Sequence, residues 1–259
     1  MPGNTVLLAF AVVNVVVTGL FAAVVARQFA RRGRVYQLYW MIALSMAFLG
    51  TVSYVCMVLV GPTSGAGQFL FRAYYILGAT FASSWLGLGS IALVASPRAT
   101  RICLAVLTVL SVITAVIIAI VPLNMPALAH VAGTAGTGIL ENQAAWLPFT
   151  IVLNSLGVLA VVGVAIYSGW KLMRRQSSVA GFRPVNLLWA NVLILVGDLF
   201  NAYAGANARV FGQSGSFWLV MSAGWAVFFV GVLLASRRSA SSKAASEVTN
   251  VQGRVASSR

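Results

Sequence analysis

The chain has 259 residues, 60% of them hydrophobic and 8% charged, with a mean hydropathy of +0.94. A soluble domain carries about 25% charged residues and needs polar surface to cover its core. This composition therefore excludes a soluble enzyme, a disulfide scaffold and a disordered protein, and makes the solvent a bilayer. The net charge of +14 comes from 17 Lys+Arg against three Asp+Glu. These bases lie in short loops between apolar runs, not on one aromatic-studded surface, which argues against nucleic acid as a partner.

A helical span needs about 20 mostly apolar residues. Chain order gives seven, at residues 6–26, 38–60, about 69–95, 102–121, 146–170, 185–204 and 217–235. None alternates with the period of two that marks a barrel strand, so the fold class is an all-α membrane protein, a seven-transmembrane helix bundle. The first span follows a stretch with no base and is itself followed by Arg27, Arg31 and Arg32. That order is the reverse of a cleavable signal peptide and reads as a retained anchor.

The connections set a direction. Those after spans 1, 3 and 5, with the tail, hold fifteen Lys and Arg, whereas the opposite side holds Arg72 and Arg209. The positive-inside rule then places the N-terminus outside and the C-terminus in the cytoplasm of a bacterial inner or plasma membrane, with anionic inner-leaflet lipids as partners. Residues 1–238 form the transmembrane domain, and the Ser/Ala-rich stretch 239–259 is expected to be a disordered basic tail. Tyr36, Tyr39, Trp40 and Trp170 suit an inner aromatic belt and Trp146 and Trp218 an outer one, while Trp85 and Trp225 fall deeper. Prolines avoid span interiors; Pro148 and Pro184 lie in first turns.

The outer connection 122–145 contains AHVAGTAGTGIL, small and apolar, which either lies on the membrane or caps the bundle. Spans 1–3 and 5–7 run in the same direction, so the sequence suggests a 3+1+3 parallel repeat. Trp40 and Tyr54 in span 2 have the same fourteen-residue spacing as Trp189 and Tyr203 in span 6.

Several chemistries are excluded. A retinal Schiff base needs a lysine in the last span, and the two lysines, Lys171 and Lys243, lie outside all spans. Bis-histidine haem needs two imidazoles, and His130 stands alone. His130 and Glu141, eleven residues apart in one loop, make a poor metal pair and read as solvated. Cys56 and Cys103 fall at opposite ends of their spans and cannot bridge. No cofactor or metal is expected.

One constellation remains. Asp198 is the acid and Arg72 the base inside the spans, both expected in the outer leaflet at similar depth. A charge in hydrocarbon costs several kcal/mol, so the two are expected to face inward and pair. Tyr75 and Ser83 continue a polar or small stripe on span 3, and Asn191 and Asn201 share a face with Asp198. Asn14 and Asn154 sit at comparable depth. Arg72, Tyr75, Asp198, Asn201, Asn154 and Asn14 thus describe a ligand pocket open or nearly open to the outside, with Ser83 and Asn191 continuing a path inward. The alternative is a clasp, since buried polar residues also hold membrane helices together.

The runs ARRGRVYQLYWMIALSMAFLGTVSY (30–54) and FRAYYILGATFASSWLGLGSIAL (71–93) resemble bacterial seven-helix membrane proteins. Some of these are free-standing and others are the N-terminal sensor regions of histidine kinases. The resemblance covers roughly the first 100 residues and rests on hydropathy with spaced aromatics and glycines. It implies the seven-helix fold and carries no functional residue across. Span 7 is followed by a short tail and not a kinase module.

Three functions compete. A receptor-like or accessory binding module uses the outer pocket and a cytoplasmic or membrane protein partner at the basic loops. A small secondary transporter of a polar or charged solute uses the repeat and the membrane-embedded charges. A purely structural role uses neither. An intramembrane enzyme lacks paired carboxylates, a nucleophile–base pair and metal ligands.

Overall fold

The computed structural model describes residues 2–176, 185–210, 212 and 216–234. Among these the chain is all-helical, apart from one isolated bridge between Leu123 and Leu140. In lipid every backbone polar group must be satisfied within the protein, and apolar runs of this length do so by helix formation. Among the described residues six helices are long and apolar enough to cross a membrane, which makes this a multi-pass membrane protein.

The elements are α1 (Pro2–Arg32), α2 (Val35–Val60), α3 (Gly65–Tyr74), a π-helical turn (Tyr75–Phe81), α4 (Ala82–Val94), α5 (Pro97–Ile120), the short α6 (Met125–Ala129), α7 (Gln143–Gln176), α8 (Val185–Val210) and α9 (Phe217–Leu234). Most outrun the apolar stretches that announced them, because caps set the ends. The Ser64 hydroxyl accepts from Gly67 N–H and starts α3; Ser96 accepts from Ala99 N–H, with Pro97 in the first turn of α5. Helix α8 continues six residues past the expected Ala204, to Val210. The expected end of span 7 at Ala235 and the tail 239–259 lie outside the described residues.

The rods form a ring. α1 packs on α2, α2 on α3 and α4, α4 on α7, and α7 on α8. α9 closes it, reaching α8 through Gly197 and Gly231 and α1 through Phe21, whose ring meets those of Trp225, Phe228 and Phe229. α5 stands outside the ring against α4 and α7, and Ile102, Val106, Val109, Val116 and Ile120 are exposed along it, as a lipid-facing surface should be. The close crossings use glycine: a Cβ on Gly87 would lie 2.8 Å from the Gly157 carbonyl oxygen, and one on Gly50 would lie 2.7 Å from Gly78 N. With no hydrophobic drive between helices in lipid, such approaches supply the packing.

Two cores fill the ring, and a third, smaller cluster around Tyr39, Phe81, Leu88, Leu107 and Leu153 lies toward α5. One, around Phe21, Leu44, Trp225 and Phe228, occupies the half toward the basic loops. The other, around Tyr54, Phe71, Tyr74, Tyr75, Trp146 and Trp218, occupies the opposite half. Trp146 and Trp218, expected in an interfacial belt, are buried here. Both are large enough to fill the wider space at that end, and each indole N–H finds a backbone carbonyl.

Candidate functional site

The aromatic core is covered by residues 121–142, the cap. Its two ends are stapled together, Asn124 N–H donating to the Ile139 carbonyl (2.8 Å) and Glu141 N–H to that of Pro122 (3.0 Å). Between them Leu128, Val131, Ile139 and Leu140 are buried against the bundle. The small-residue run makes this approach feasible. Gly136 has φ +71°, and a Cβ there would lie 2.8 Å from the Phe71 ring. Of the two placements open to this loop, the structure has the second, a cap.

Four bundle side chains hold the cap by its backbone, Trp146 through the Glu141 carbonyl near its end and three others along its middle. Tyr54 donates its hydroxyl to the Val131 carbonyl (2.9 Å), Tyr74 to that of Ala135 (3.0 Å), and the Trp218 indole to that of Thr134 (3.2 Å). The rings meet tilted or edge-on, with Tyr54 and Trp218 centroids 4.5 Å apart and Tyr54 and Tyr74 5.1 Å apart. The mouth expected to be open is therefore closed, because the cap brings apolar side chains to the aromatic floor and carbonyls to its donors.

Beside this floor stands Arg209, half-buried near the C-terminus of α8. Its Nη2 donates to the Tyr75 hydroxyl (2.8 Å), and its guanidinium lies 5.7 Å from the Trp146 ring centroid. Trp146 also meets Tyr75 edge-on, at 5.3 Å. A guanidinium has five N–H donors in a planar fork suited to carboxylate or phosphate. The sequence reading missed Arg209 because it ended the span at Ala204. With the helix extended, Asn191, Asp198 and Arg209 recur at steps of seven and eleven residues on one face, and that spacing was the available signal.

The expected Arg72–Asp198 pair is not formed. Arg72 donates to the Ile118 carbonyl, near the end of α5. That carbonyl has no helical donor, because the residue four positions on is Pro122. Depth separates the two charges as well. Asp198 lies twelve residues short of Val210, or about 18 Å along the helix, whereas Arg72 is seven residues, about 10 Å, from the start of α3 at the same end.

The remaining expected site residues divide. Asn14 donates to Thr51 Oγ1 (3.0 Å) and clasps α1 to α2. Asn154 donates to the Ala79 carbonyl in the π turn (2.9 Å) and to that of Thr150 (3.0 Å). Ser83 lies at the α4–α7 contact, 3.4 Å from the Asn154 carbonyl oxygen, and packs against Gly157. Tyr75 belongs to the Arg209 cluster, and Asn191 is half-buried on α8. Asp198 is 3% exposed, and its Oδ2 and the Asn201 Oδ1 are buried with no hydrogen-bond partner among the described residues. Two surface grooves, one on α7 around Leu147 and Pro148 and one on α5 around Arg98 and Arg101, reach none of these. Among the described residues no three His, Cys, Asp or Glu gather as a metal site.

Comparison with known protein families, curated proteins and solved structures finds no match to this chain.

Proposed function

We propose that this membrane protein is a seven-helix, receptor-like or accessory binding module, with its N-terminus outside and C-terminus in the cytoplasm, whose ligand site is the aromatic chamber filled by the cap. The observation that carries this reading is the triple attachment of one small-residue loop, by backbone carbonyls alone, to Tyr54, Tyr74 and Trp218. A ligand that displaces the loop inherits three donors, an aromatic floor and the Arg209 guanidinium. The chemistry fits a small organic anion, with a carboxylate or phosphate on Arg209 and an apolar or ring-bearing body on the tyrosines and tryptophans. α8, 26 residues long and carrying Asp198 and Arg209 as its charges, brings the six apolar helices to seven spans. The basic loops then lie in the cytoplasm, where a protein partner would read cap movement.

The 3+1+3 repeat belongs to this proposal. α5 stands outside a ring made of α1, α2, α3–α4 and α7, α8, α9, and both halves contain a glycine crossing, Gly50 on Gly78 and Gly197 against Gly224. The aromatics that first suggested it differ in surroundings, Tyr54 being buried and Tyr203 56% exposed. A second reading, a small secondary transporter, is favoured by one observation, the buried Asp198 whose Oδ2 has no partner among the described residues.

Thermal unfolding of detergent-purified protein with organic acids, amino acids, nucleosides, amines and lipids tests the proposal. A compound that stabilises wild type and fails on Arg209→Gln is the expected result. Flux of that compound into liposomes would move the assignment to transport. If no compound discriminates the two proteins, the structural role stands.

A further inference from the structure

The aromatic chamber leaves one group unused. Asp198 is nearly fully buried on α8, and its Oδ2 accepts nothing from the described residues. Asn201, one turn further along the same helix, also holds a buried amide oxygen without a donor. Asn201 packs on Gly224 of α9, where a Cβ would strike its Oδ1 and come within 3.0 Å of the Gly197 carbonyl oxygen. The neighbourhood therefore presents acceptors: a carboxyl group, an amide oxygen and helix carbonyls.

Among the described residues no fixed cation neutralises it. α9 has no titratable residue from Phe217 to Leu234, and α7 has none from Gln143 to Ile166. Tyr167, Lys171, Arg174 and Arg175 follow only toward the far end of α7. On α8, Arg209 is eleven residues away and engaged with Tyr75, and Tyr203 is on the exposed side. α1 carries no charge from Leu8 to Ala26, and α4 none. Removing a carboxylate from water without a counter-charge costs several kcal/mol, so the group must hold a neutralising ion.

We infer that Asp198 and Asn201 form a binding site for one small monovalent cation at the α8–α9 crossing, deep in the membrane. The cation is either a proton on the Asp198 carboxyl, which then donates to a neighbouring acceptor, or a sodium ion shared by Asp198 and Asn201. The site is separate from the cap chamber and stands whether or not a ligand binds there.

Dicyclohexylcarbodiimide, which modifies protonated carboxyls in apolar surroundings, tests this on the full-length purified protein. The chain offers Glu141, Asp198 and Glu247 beside its terminus, so peptide mass spectrometry assigns the label. Label on Asp198 that falls as pH rises, in choline and sodium alike, identifies the proton. Label that falls at constant pH when sodium replaces choline identifies the sodium ion. Asp198→Glu should keep the label and Asp198→Asn lose it. In choline the wild-type Tm should fall as pH rises, because a carboxyl buried in neutral form destabilises the fold when its proton leaves. That fall should be absent in Asp198→Asn. If Asp198 is not labelled at any pH in either salt, the inference is overturned. The label on wild type decides even where Asp198→Asn does not fold. Loss of ligand binding in Arg209→Gln bears on the cap chamber alone.

Discussion

Arg72 donates its hydrogen bond to the carbonyl of Ile118, a carbonyl whose helical donor is missing because residue 122 is proline. The pairing joins α3 to the end of α5 and puts a positive charge where the α5 dipole is negative. It also explains how an arginine can sit in this span without a carboxylate.

A rescue experiment follows from that geometry. Arg72→Leu should destabilise the protein by about 1–3 kcal/mol, the cost of an orphaned buried carbonyl. Pro122→Ala returns an N–H to the end of α5, so the double variant should recover part of the loss. Arg72→Leu and Asp198→Asn should be additive within about 0.5 kcal/mol. Thermal or denaturant unfolding in detergent measures all three, and strong coupling between Arg72 and Asp198 would restore the ion pair rejected above.

The cap offers a second prediction at its tightest point. Gly136→Val places a branched side chain at φ +71° and against the Phe71 ring. Strain of about 1–3 kcal/mol should open the cap and leave the ring of helices intact. Limited proteolysis should then cut within residues 131–140 while the α-helical circular dichroism is unchanged. A cap that resists proteolysis as wild type does would remove the idea that it is a separable element.

The three attachments should act in parallel. Tyr54→Phe, Tyr74→Phe and Trp218→Phe each remove one bundle-to-cap hydrogen bond, at about 0.5–1.5 kcal/mol apiece, although the Val131 carbonyl keeps its bonds from Thr134. Hydrogen exchange should accelerate across 131–140 in every variant, most in the triple. Exchange that rises throughout the bundle would show that these hydroxyls and the indole stabilise the fold as a whole.

Gly157 makes a different kind of prediction. A Cβ there would meet the Ser83 hydroxyl oxygen at 2.7 Å, and the backbone carbonyl of Ser83 lies closer still, at 2.5 Å. Backbone cannot yield as a side-chain tip can, so Gly157→Val should part α4 from α7 and cost at least about 1–3 kcal/mol. Loss of a monodisperse peak in size-exclusion chromatography is the expected readout, with Gly163→Val, which meets open space, as the matched control.

Much of the fold was legible because a bilayer imposes length and polarity on every span. What the sequence left hidden was partnership. Asn14, Arg72 and Asn154 were recognisable as buried polar residues, but two of the three bond to backbone carbonyls, which no residue type announces. Pro122 gave a clue, since it removes the donor from Ile118. Trp146 and Trp218 fit a belt by position and a core by size, and only the cap decides between them. Arg209 was counted as a loop charge because α8 looked six residues shorter than it is.

The ring closes through contacts of very different sequence range. The Asn14 amide N–H donates to Thr51, on the next helix to enter the membrane, whereas Ser222 reaches the Phe10 carbonyl across 212 residues. During synthesis, α1 must therefore wait in lipid for nearly the whole chain to be made. The face that waits carries Phe21, for which acyl chains are as good a surrounding as Trp225 and Phe228. The amide N–H on the same helix is matched at once. Early polar matching and late apolar matching give an assembly order in which the Asn14 N–H meets its acceptor as soon as α2 is made.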